Sequence, residues 1–350
     1  MSAPIDFAPS YIGGRRLVRA TRRSIYSANM TAGSDVHEGA QYRVSAVVPA
    51  YNEERNVAHM LASLLAQQTP LGIVSEVVVV ASGCTDATAA RVAEVARHDG
   101  RVRVVTEPVR AGKAAAVDRY LEIRDPDADV LLIASADVLL SPGFLDTVLR
   151  ALAADPNVGM CGGRPVPSND ARTLMGRVDT LLWELHHDVA TVAPKLGEAI
   201  AVRAALVPRL PPESVLDEAT IEAMVTAAGH TLKYVPEAIV VNRGPDTLGE
   251  YLSQRRRNAA GHYTLRAQTG YRVATLPTRR LVRLAARRLR APGGPSIVTC
   301  GVTVLLEVTA RVLGRLDVLR GRNHAVWKVA PTAHTALAHP DAPSHHRAAG

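Results

Sequence analysis

The segment VSAVVPAYNEERNVAHMLASLLAQQ, residues 44–68, decides the fold of this chain. Its first five residues are an apolar run typical of a buried strand. A short polar loop follows, and then a helical pattern for which Asn52 is the predicted N-cap and the acids Glu53 and Glu54 suit the helix dipole. A buried strand followed by such a helix is the first half of a βαβ unit.

The same pattern continues along the chain. Predicted strands at 76–81, 101–107 and 129–135 alternate with predicted helices at 86–98 and 112–123. This alternation predicts an α/β fold with a mostly parallel, Rossmann-like sheet flanked by helices. Ligands of such sheets bind at the carboxyl ends of the strands, so we expect one crevice to be formed by the loops PAYNEE, ASGCTDAT, TEPVRAGK and SADVLLSP.

The alternation weakens after residue 158. Helices are predicted at 173–190, at 217–229 and from 247 to 268, where Gly270 is the stop signal. We predict four regions: a flexible basic arm at 1–40, one α/β domain at 41–275, a helical annex at 276–325 and a flexible tail at 326–350.

Composition and charge narrow the class of protein. Of the 350 residues 47% are hydrophobic and 4% aromatic, which allows a large aliphatic core and excludes wholesale disorder. The formal net charge is +8, and two runs without any acid, 11–23 and 279–290, hold five and six arginines. Such runs indicate an anionic partner surface, either membrane or nucleic acid, or else a solvated helix face. In the second run one helical face carries Arg280, Arg283, Arg287 and Arg290, which is the pattern of an interfacial helix.

The expected compartment is the cytoplasm, with peripheral binding to the inner face of the membrane as an extension of it. Cys84, Cys161 and Cys300 are far apart and predict neither a disulfide framework nor a zinc site. The first thirty residues lack the apolar core of a signal peptide. The longest apolar stretch, 297–306, ends at Glu307 and is about half of the roughly 20 residues that a spanning helix needs, so no transmembrane segment is predicted.

Two acidic positions are candidates for chemistry. Ser135-Ala136-Asp137 stands where the strand at 129–135 ends, and Asp137 either holds a hard divalent cation beside a diphosphate or only caps the strand end. Asp217-Glu218 begins a predicted helix, where the carboxylates act either as a general base or as partners of the helix dipole.

Basic residues offer matching phosphate contacts. In QRRRN, 254–258, helical geometry places Gln254, Arg257 and Asn258 on one face and turns Arg255 and Arg256 away. The guanidinium of Arg257 suits phosphate oxygens, although a solvated basic patch is the alternative.

A third basic candidate begins the helix at 112–123. Lys113 follows a loop there and could approach a phosphate, yet the chain contains no Walker loop and no GxGxxG after its first strand.

The order of the motifs is more specific than any one of them. Residues 44–270 resemble the family-2 glycosyltransferases through the ordered set VVPAYNEERNV, VVVVASGCTDAT, AGKAAAV, LIASADVLLSP, LDEATIEAMVTAAGHTLKYVPEAIV and YLSQRRRNAAGH. The resemblance implies a GT-A fold and the inverting transfer of a sugar from a nucleoside diphosphate sugar. It also implies a divalent cation, Mg²⁺ or Mn²⁺, as the cofactor.

The roles of single residues follow from that resemblance. The implied metal ligand is Asp137, which matches the last acid of the family's DxD motif. The implied base is in the Asp217-Glu218 pair: Glu218 aligns with the usual base, and Asp217 remains an alternative. Gln254 and Arg257 match the first and fourth positions of the QxxRW motif. The implied donor-binding residues are Pro49, Ala50, Tyr51, Asn52, Glu53, Ser82, Asp86, Lys113, Ser135, Ala136, Gln254 and Arg257.

Three departures from the family pattern modify these expectations. Ser135 replaces the first acid of DxD, so we expect weaker metal binding and a ribose contact through a hydroxyl. Ala81-Ser82 replaces the acidic pair that usually meets the base, so uracil is expected while another base stays open. Asn258 replaces the Trp of QxxRW, which belongs to polymerising synthases, so a single transfer is expected.

We therefore expect the transfer of one hexose or N-acetylhexosamine from a UDP-linked donor to a hydroxyl or other nucleophile of an unidentified acceptor, in natural-product or glycan biosynthesis. The first alternative is a lipid-directed enzyme at an anionic membrane surface, acting for example on a polyprenyl phosphate, which the arginine run at 279–290 favours. The second is a catalytically inactive sugar-nucleotide-binding protein, which the loss of the first DxD acid favours. Nucleic acid is not an expected partner.

Overall fold

The computed structural model describes residues 41–211 and 214–322. The predicted arm at 1–40, the predicted tail at 326–350 and the last residues of the predicted annex lie outside the described residues. All elements below belong to the described part of the chain.

The strands form one sheet of eight, in the order β3-β2-β1-β4-β7-β6-β8-β5. β1, β2, β3 and β4 are parallel to one another. β7 is antiparallel to both β4 and β6, and β8 is parallel to β6 and antiparallel to β5. The predicted α/β class is therefore confirmed, with a mixed, mostly parallel sheet. The strands are Tyr42–Ala50 (β1), Gly72–Ser82 (β2), Val102–Glu107 (β3), Val130–Ala134 (β4), Leu139–Leu140 (β5), Val158–Pro167 (β6), Ala199–Arg203 (β7) and Thr231–Asn242 (β8).

Both faces of the sheet carry apolar side chains, because successive residues of the strands are apolar and point to opposite faces. Helices therefore cover both faces. On one face Val44, Ala46 and Val48 belong to a core shared with α1 and α4, and on the other face Val47 belongs to a core shared with α3 and α6. The α-helices are Val57–Leu65 (α1), Thr88–His98 (α2), Lys113–Ile123 (α3), Phe144–Ala153 (α4), Leu174–Ala190 (α5), Asp217–Ala227 (α6), Leu248–Thr269 (α7), Thr278–Leu289 (α8) and Ile297–Leu319 (α9).

The register of the parallel strands brings their loops together. Ala50 is paired with Ala81, and Val47 with Ile133, so β1, β2 and β4 end at the same edge of the sheet. The loops that follow these three strands meet at that edge, as the sequence pattern predicts.

The N-cap prediction for the first helix is wrong. α1 begins at Val57 with Asn56 as its N-cap, four residues later than expected. Asn52 instead has a φ of 57°, in the left-handed region where Asn is tolerated better than most residues. The segment between them is a turn whose Glu53 accepts a 2.9 Å hydrogen bond from Asn56.

The C-terminal helix α9 is longer than the sequence suggests. Its 23 residues continue through Glu307 to Leu319, because Glu307 is buried and its carboxylate binds Arg255 of α7 and Arg311 of α9 at 2.5 and 2.6 Å. By length and composition alone α9 could cross a membrane, while 39% of its most apolar 18-residue window is buried inside the protein. The apolar stretch 297–306 is therefore only part of a longer helix, and its length does not support the prediction that no segment could span a membrane.

Candidate active site

A cavity of about 930 Å³ opens at the carboxyl ends of β1, β2 and β4 and extends between α5, α7 and α8. It collects thirteen of the fifteen site residues predicted from the sequence: Pro49, Ala50, Tyr51, Glu53, Ser82, Lys113, Ser135, Ala136, Asp137, Asp217, Glu218, Gln254 and Arg257. Residues that lie up to two hundred positions apart in sequence therefore share one crevice.

Lys113 connects the acid pair to the end of β4. Its ammonium donates to the Ser135 hydroxyl at 3.1 Å, lies 3.3 Å from Asp217 Oδ2 and binds Glu218 Oε1 directly. Burial alone would lower the pKa of Lys113, but the charges of Asp217 and Glu218 outweigh it and raise the pKa. Lys113 is thus a fixed positive charge where a diphosphate would enter from the strand ends.

The two acids of the pair differ in charge state. Burial, reinforced by the charge of Glu218, raises the pKa of Asp217 to about 7. Burial would also raise the pKa of Glu218, but the Lys113 ammonium and a hydrogen bond from Asp217 outweigh it and lower the pKa to about 2. The side chain of Glu218 is 17% exposed against 4% for Asp217. Glu218 is therefore the ionised and more accessible member of the pair.

Carboxylates crowd around Asp137. Burial and the charge of Asp137 raise the pKa of Glu53 to about 9 and that of Glu198 to about 8. Glu198 begins the turn into β7 with a φ of 64°, an uncommon backbone conformation for a non-glycine residue. Its carbonyl accepts the N–H of Ser135 at 3.0 Å, which fixes Glu198 beside the Ser135–Asp137 turn.

These carboxylate oxygens fit a divalent cation. Among the described residues, no three His, Cys, Asp or Glu side chains are already arranged around a common metal position. However, Mg²⁺ and similar ions commonly take one or two protein carboxylates and complete their shell with water and substrate phosphates. Asp137, with Glu53 and Glu198 in electrostatic range, supplies hard oxygen ligands whose mutual repulsion a cation would relieve.

The outer wall of the strand-end region carries an aromatic ring and a guanidinium. The guanidinium carbon of Arg110 lies 3.9 Å from the centre of the Tyr51 ring, a cation–π stack. Ser82 holds the loop that carries Arg110, donating to the Val109 carbonyl at 3.3 Å and accepting from the Ala111 N–H at 3.4 Å. A planar base could lie against such a wall.

Two predicted donor contacts do not line the cavity. Asn52 accepts the N–H of Thr85 at 2.8 Å, and Asp86 accepts the N–H groups of Glu54 and Thr88 at 3.1 and 3.0 Å. Their polar atoms are used to join the loop after β1 to the loop after β2. Asn52 and Asp86 therefore shape the loops beside the cavity without lining it, and their contact with a donor stays a prediction.

α7 supplies the basic side of the cavity. Gln254 is exposed, while Arg257 is half-buried and donates a hydrogen bond to Asn258 Oδ1 at 3.1 Å. Burial lowers the pKa of Arg257 to about 10, which leaves the guanidinium charged at neutral pH. Arg255 and Arg256 direct their guanidinium groups to α9, where they bind Glu307 and Asp317 at 2.5 Å.

The far end of the cavity is apolar and contains a neutral histidine. Burial lowers the pKa of His186 to about 3, and its Nδ1 has no hydrogen-bond partner among the described residues. Its ring makes an edge-on contact with Trp183, with the centroids 5.2 Å apart. The remaining wall of this end is formed by Leu182, Leu185, Val189, Leu281 and Leu284.

Sequence reasoning missed several of these residues. No role was predicted for Glu198, and only its left-handed backbone and its position next to β4 reveal it. The sequence did not predict a place in the site for Arg110 or Trp183 either. The pattern around Arg110 predicts only a loop, and the pattern around Trp183 predicts only a helix. Tertiary placement alone brings them to the cavity.

Comparison with known proteins gives a matching family model. The model described as "Glycosyltransferase like family 2" matches residues 41–261. These residues hold the whole sheet and the helices up to the middle of α7.

Curated relatives match a similar part of the chain. An N-acetylglucosaminyltransferase of Sinorhizobium fredii is 26% identical over 65% of this chain and 60% of its own length. One of Mesorhizobium japonicum is 28% identical over 61% of this chain and 54% of its own length. The chain thus spans less than two thirds of the length of these relatives.

A solved structure shows the same fold. The mannosyltransferase PcManGT from Pyrobaculum calidifontis, in complex with GDP-Man and Mn²⁺, superposes with a TM-score of 0.50 at 21% identity. The match covers 80% of this chain and 76% of that one. The likeness supports the GT-A architecture of the described residues.

Proposed function

The chain belongs to glycosyltransferase family 2, and from that premise we propose that it moves a single sugar, with inversion, from a nucleoside diphosphate sugar to an acceptor nucleophile. The observation that carries this proposal is the position of Lys113. It lies between the acid pair Asp217-Glu218 and the strand end Ser135–Asp137, within one cavity.

The donor's diphosphate would lie between Lys113, Arg257 and the end of β4. Two fixed positive charges stabilise the negative charge that develops on the leaving diphosphate. A divalent cation held by Asp137, with Glu198 or Glu53 beside it, would supply further charge neutralisation when bound. The ribose would meet the Ser135 hydroxyl, and the base would lie against Tyr51 and the backbone near Ser82.

The reaction is a direct displacement at the anomeric carbon. The Glu218 carboxylate accepts the proton of the acceptor hydroxyl as the acceptor oxygen forms its bond to that carbon. The bond between the carbon and the diphosphate oxygen breaks, and its electron pair leaves with the diphosphate. Asp217, protonated more readily than Glu218, holds the base by its hydrogen bond and keeps a second negative charge out of the site.

The expected donor is UDP-linked, and the sugar is a hexose or an N-acetylhexosamine. The curated relatives named N-acetylglucosaminyltransferases support an N-acetylhexosamine. Ala81-Ser82 places no acid beside the base position, so the preference for uracil depends on backbone groups of the loops.

A lipid-linked acceptor is the second candidate, and one observation favours it. The cavity is lined by leucines of α5 and α8, and Arg280 of α8 lines it as well. We take these residues as the wall that an acceptor would contact. A polyprenyl phosphate combines an apolar chain with an anionic head and would match this wall. Transfer of radiolabelled sugar into an organic-solvent extract containing polyprenyl phosphate, but not into water-soluble acceptors, would select this candidate.

The proposed activity is tested by donor turnover. Full-length protein with Mn²⁺ and UDP-N-acetylglucosamine, UDP-glucose or GDP-mannose is assayed for release of the nucleoside diphosphate and for the anomeric configuration of the product. We expect one donor to be consumed with inversion, Glu218→Gln to lose this activity, and Glu237→Gln, an exposed position on β8, to retain it. Nucleotide binding without turnover in the wild-type protein would contradict the enzyme and indicate an inactive binder.

A further inference from the structure

Exposed apolar side chains are concentrated on the two C-terminal helices. Of twelve large hydrophobic residues exposed in the described part of the chain, eight lie between 282 and 319. They are Val282, Leu289, Ile297, Val298, Leu305, Val312, Leu316 and Leu319. Single exposed apolar residues are ordinary, but a concentration of this kind marks an interaction surface.

On α9 these residues form one stripe. Val298, Leu305, Val312 and Leu319 recur at intervals of seven, so they lie on one side of the helix, and Leu316 lies among them. The stripe runs the full 23 residues, a length of about 35 Å. Arg315 is the charged residue at its edge. The opposite side of α9 is buried through Thr303, Glu307 and Ala310.

The segment that contains both helices is strongly positive. Segment 278–322 contains ten arginines and two acids, a net charge of +8, which equals that of the whole chain. On α8, Arg279, Arg283, Arg287 and Arg290 are exposed, and no ion pair among the described residues reaches them. Arg288, by contrast, is bound to Asp188 and Glu184 of α5.

Both helices bury their other sides on the same support. Leu281 and Ala285 of α8 and Cys300 of α9 pack together on Leu181 and Leu185 of α5. The free sides of α8 and α9 therefore both face away from the domain, and together they form what we call the α8–α9 face: the eight exposed apolar residues and the four unpaired arginines of α8.

We propose that the α8–α9 face docks on an anionic lipid bilayer, with the apolar stripe in the interface and the arginines at the headgroups. Apolar area combined with arginines is what interfacial helices use on anionic lipid. This inference does not depend on the proposed catalytic function.

Charge disfavours the other occupants of the face. The segments outside the structure carry no excess of acid: residues 1–40 contain five arginines and three acids, and residues 323–350 contain one lysine, one arginine and one aspartate. A second copy would bring the same arginines against these arginines. An anionic surface removes this repulsion, whereas the chain's own segments add to it.

The buried charges of α9 also favour a helix that lies at the bilayer surface over a helix that crosses the bilayer. Glu307, Arg311 and Asp317 are buried in pairs with α7 or within α9. A spanning α9 would have to break the pairs to Arg255 and Arg256 and carry its charges into hydrocarbon. In the docked form these pairs stay intact, and the leucines Leu281 and Leu284 keep the apolar end of the cavity close to the bilayer.

The test is flotation of the full-length protein with vesicles. Vesicles of phosphatidylcholine alone are compared with vesicles that also contain phosphatidylglycerol. We expect flotation with the anionic vesicles, reduced roughly tenfold or more by Arg283→Glu/Arg287→Glu and by Leu305→Glu/Val312→Glu. The matched controls Arg91→Glu on α2 and Val192→Glu, both exposed elsewhere, should float like the wild type.

Three results would overturn the proposal. The first is no flotation of the wild-type protein. The second is flotation that the α9 substitutions leave unchanged while their thermal unfolding is normal, because the stripe then has no role. The third is a protein that resists extraction from vesicles at alkaline pH, which indicates a spanning helix. Loss of a dimer in light scattering by Leu305→Glu/Val312→Glu, without flotation of the wild type, would assign the face to a second copy.

Discussion

At the scale of single residues, the candidate site depends on how its charges are balanced. Lys113 neutralises the acid pair on one side and contacts Ser135 on the other. Ser135 stands where the DxD motif of the family has its first acid. Glu198 places a different carboxylate beside this turn. The site therefore keeps its acids near the strand end, although one of them comes from β7.

The acid pair yields the first prediction. Glu218→Gln should lower kcat by roughly 10²–10⁴-fold, because the general base is removed. Asp217→Asn should have a smaller effect, since it keeps a hydrogen-bonding side chain beside Glu218. Steady-state kinetics of both variants measure the difference, with Glu237→Gln as the control. If both variants turned over like the wild type, the base would lie elsewhere.

A second prediction concerns pH and stability. Burial raises the pKa of Asp179 on α5 to about 7, and its Oδ2 has no hydrogen-bond partner among the described residues. The folded protein thus holds this proton more tightly than the unfolded chain, whose Asp titrates near 4. This contribution to stability is present at low pH and is lost as the pH rises from about 4 to 7.

Asp179→Asn removes that pH dependence. The variant should gain stability relative to the wild type between pH 5 and pH 8, on the order of 1–3 kcal/mol. Thermal unfolding of both proteins at the two pH values measures the gain. A difference in Tm that stays constant with pH would show that Asp179 does not bind its proton in this range.

The position of a residue in the cavity was predictable where a motif carries it. Asp137, Lys113 and Arg257 occupy recognisable positions, and the fold brings all three to the cavity. Asn52 and Asp86 do not line the cavity, because their side chains accept hydrogen bonds between two loops, which the sequence does not distinguish from a ligand contact. Glu198 was missed because its importance depends on strand pairing between β4 and β7.

At the scale of elements, the close contact between α7 and α9 holds the C-terminal helices on the domain. A Cβ at Gly314 would lie 2.7 Å from the Arg256 carbonyl oxygen and 2.8 Å from the Ala260 nitrogen. The same helix carries Gly301, at which a Cβ would meet nothing within 4 Å. These two glycines of α9 form a matched pair.

Alanine at the two positions should have opposite effects. Gly314→Ala should destabilise the protein by about 1–3 kcal/mol, because the backbones of α7 and α9 must separate. Gly301→Ala should stabilise it by about 0.5–1 kcal/mol, since an exposed helical glycine is replaced by the best helix former. Urea unfolding of both variants gives the comparison. Equal stabilisation by both would mean that α9 does not pack closely on α7.

The elements themselves were largely readable from periodicity. The alternation of buried strands and helices and the long helix ending at Gly270 are confirmed, with α7 at Leu248–Thr269. The apolar stretch 297–306 was judged too short to span a membrane because the acid Glu307 interrupts it in the sequence. Its partners, Arg255 and Arg311, are visible only in the folded protein.

At the scale of the whole molecule, one cavity runs from the strand ends to the C-terminal helices. Its donor end is charged, and its far end is apolar and adjoins α8, whose outer side belongs to the α8–α9 face. The sequence shows that the arginines are concentrated in the run 279–290. That this run lies beside the cavity is visible only in the structure.

The central claim is that this cavity binds a nucleoside diphosphate together with a cation on Asp137. The most direct measurement is calorimetric titration of UDP into the protein with and without Mn²⁺, repeated with Asp137→Asn. We predict that Mn²⁺ tightens UDP binding to the wild-type protein and leaves the affinity of Asp137→Asn unchanged. UDP binding that is independent of Mn²⁺ in both proteins, or absent in both, would contradict the account.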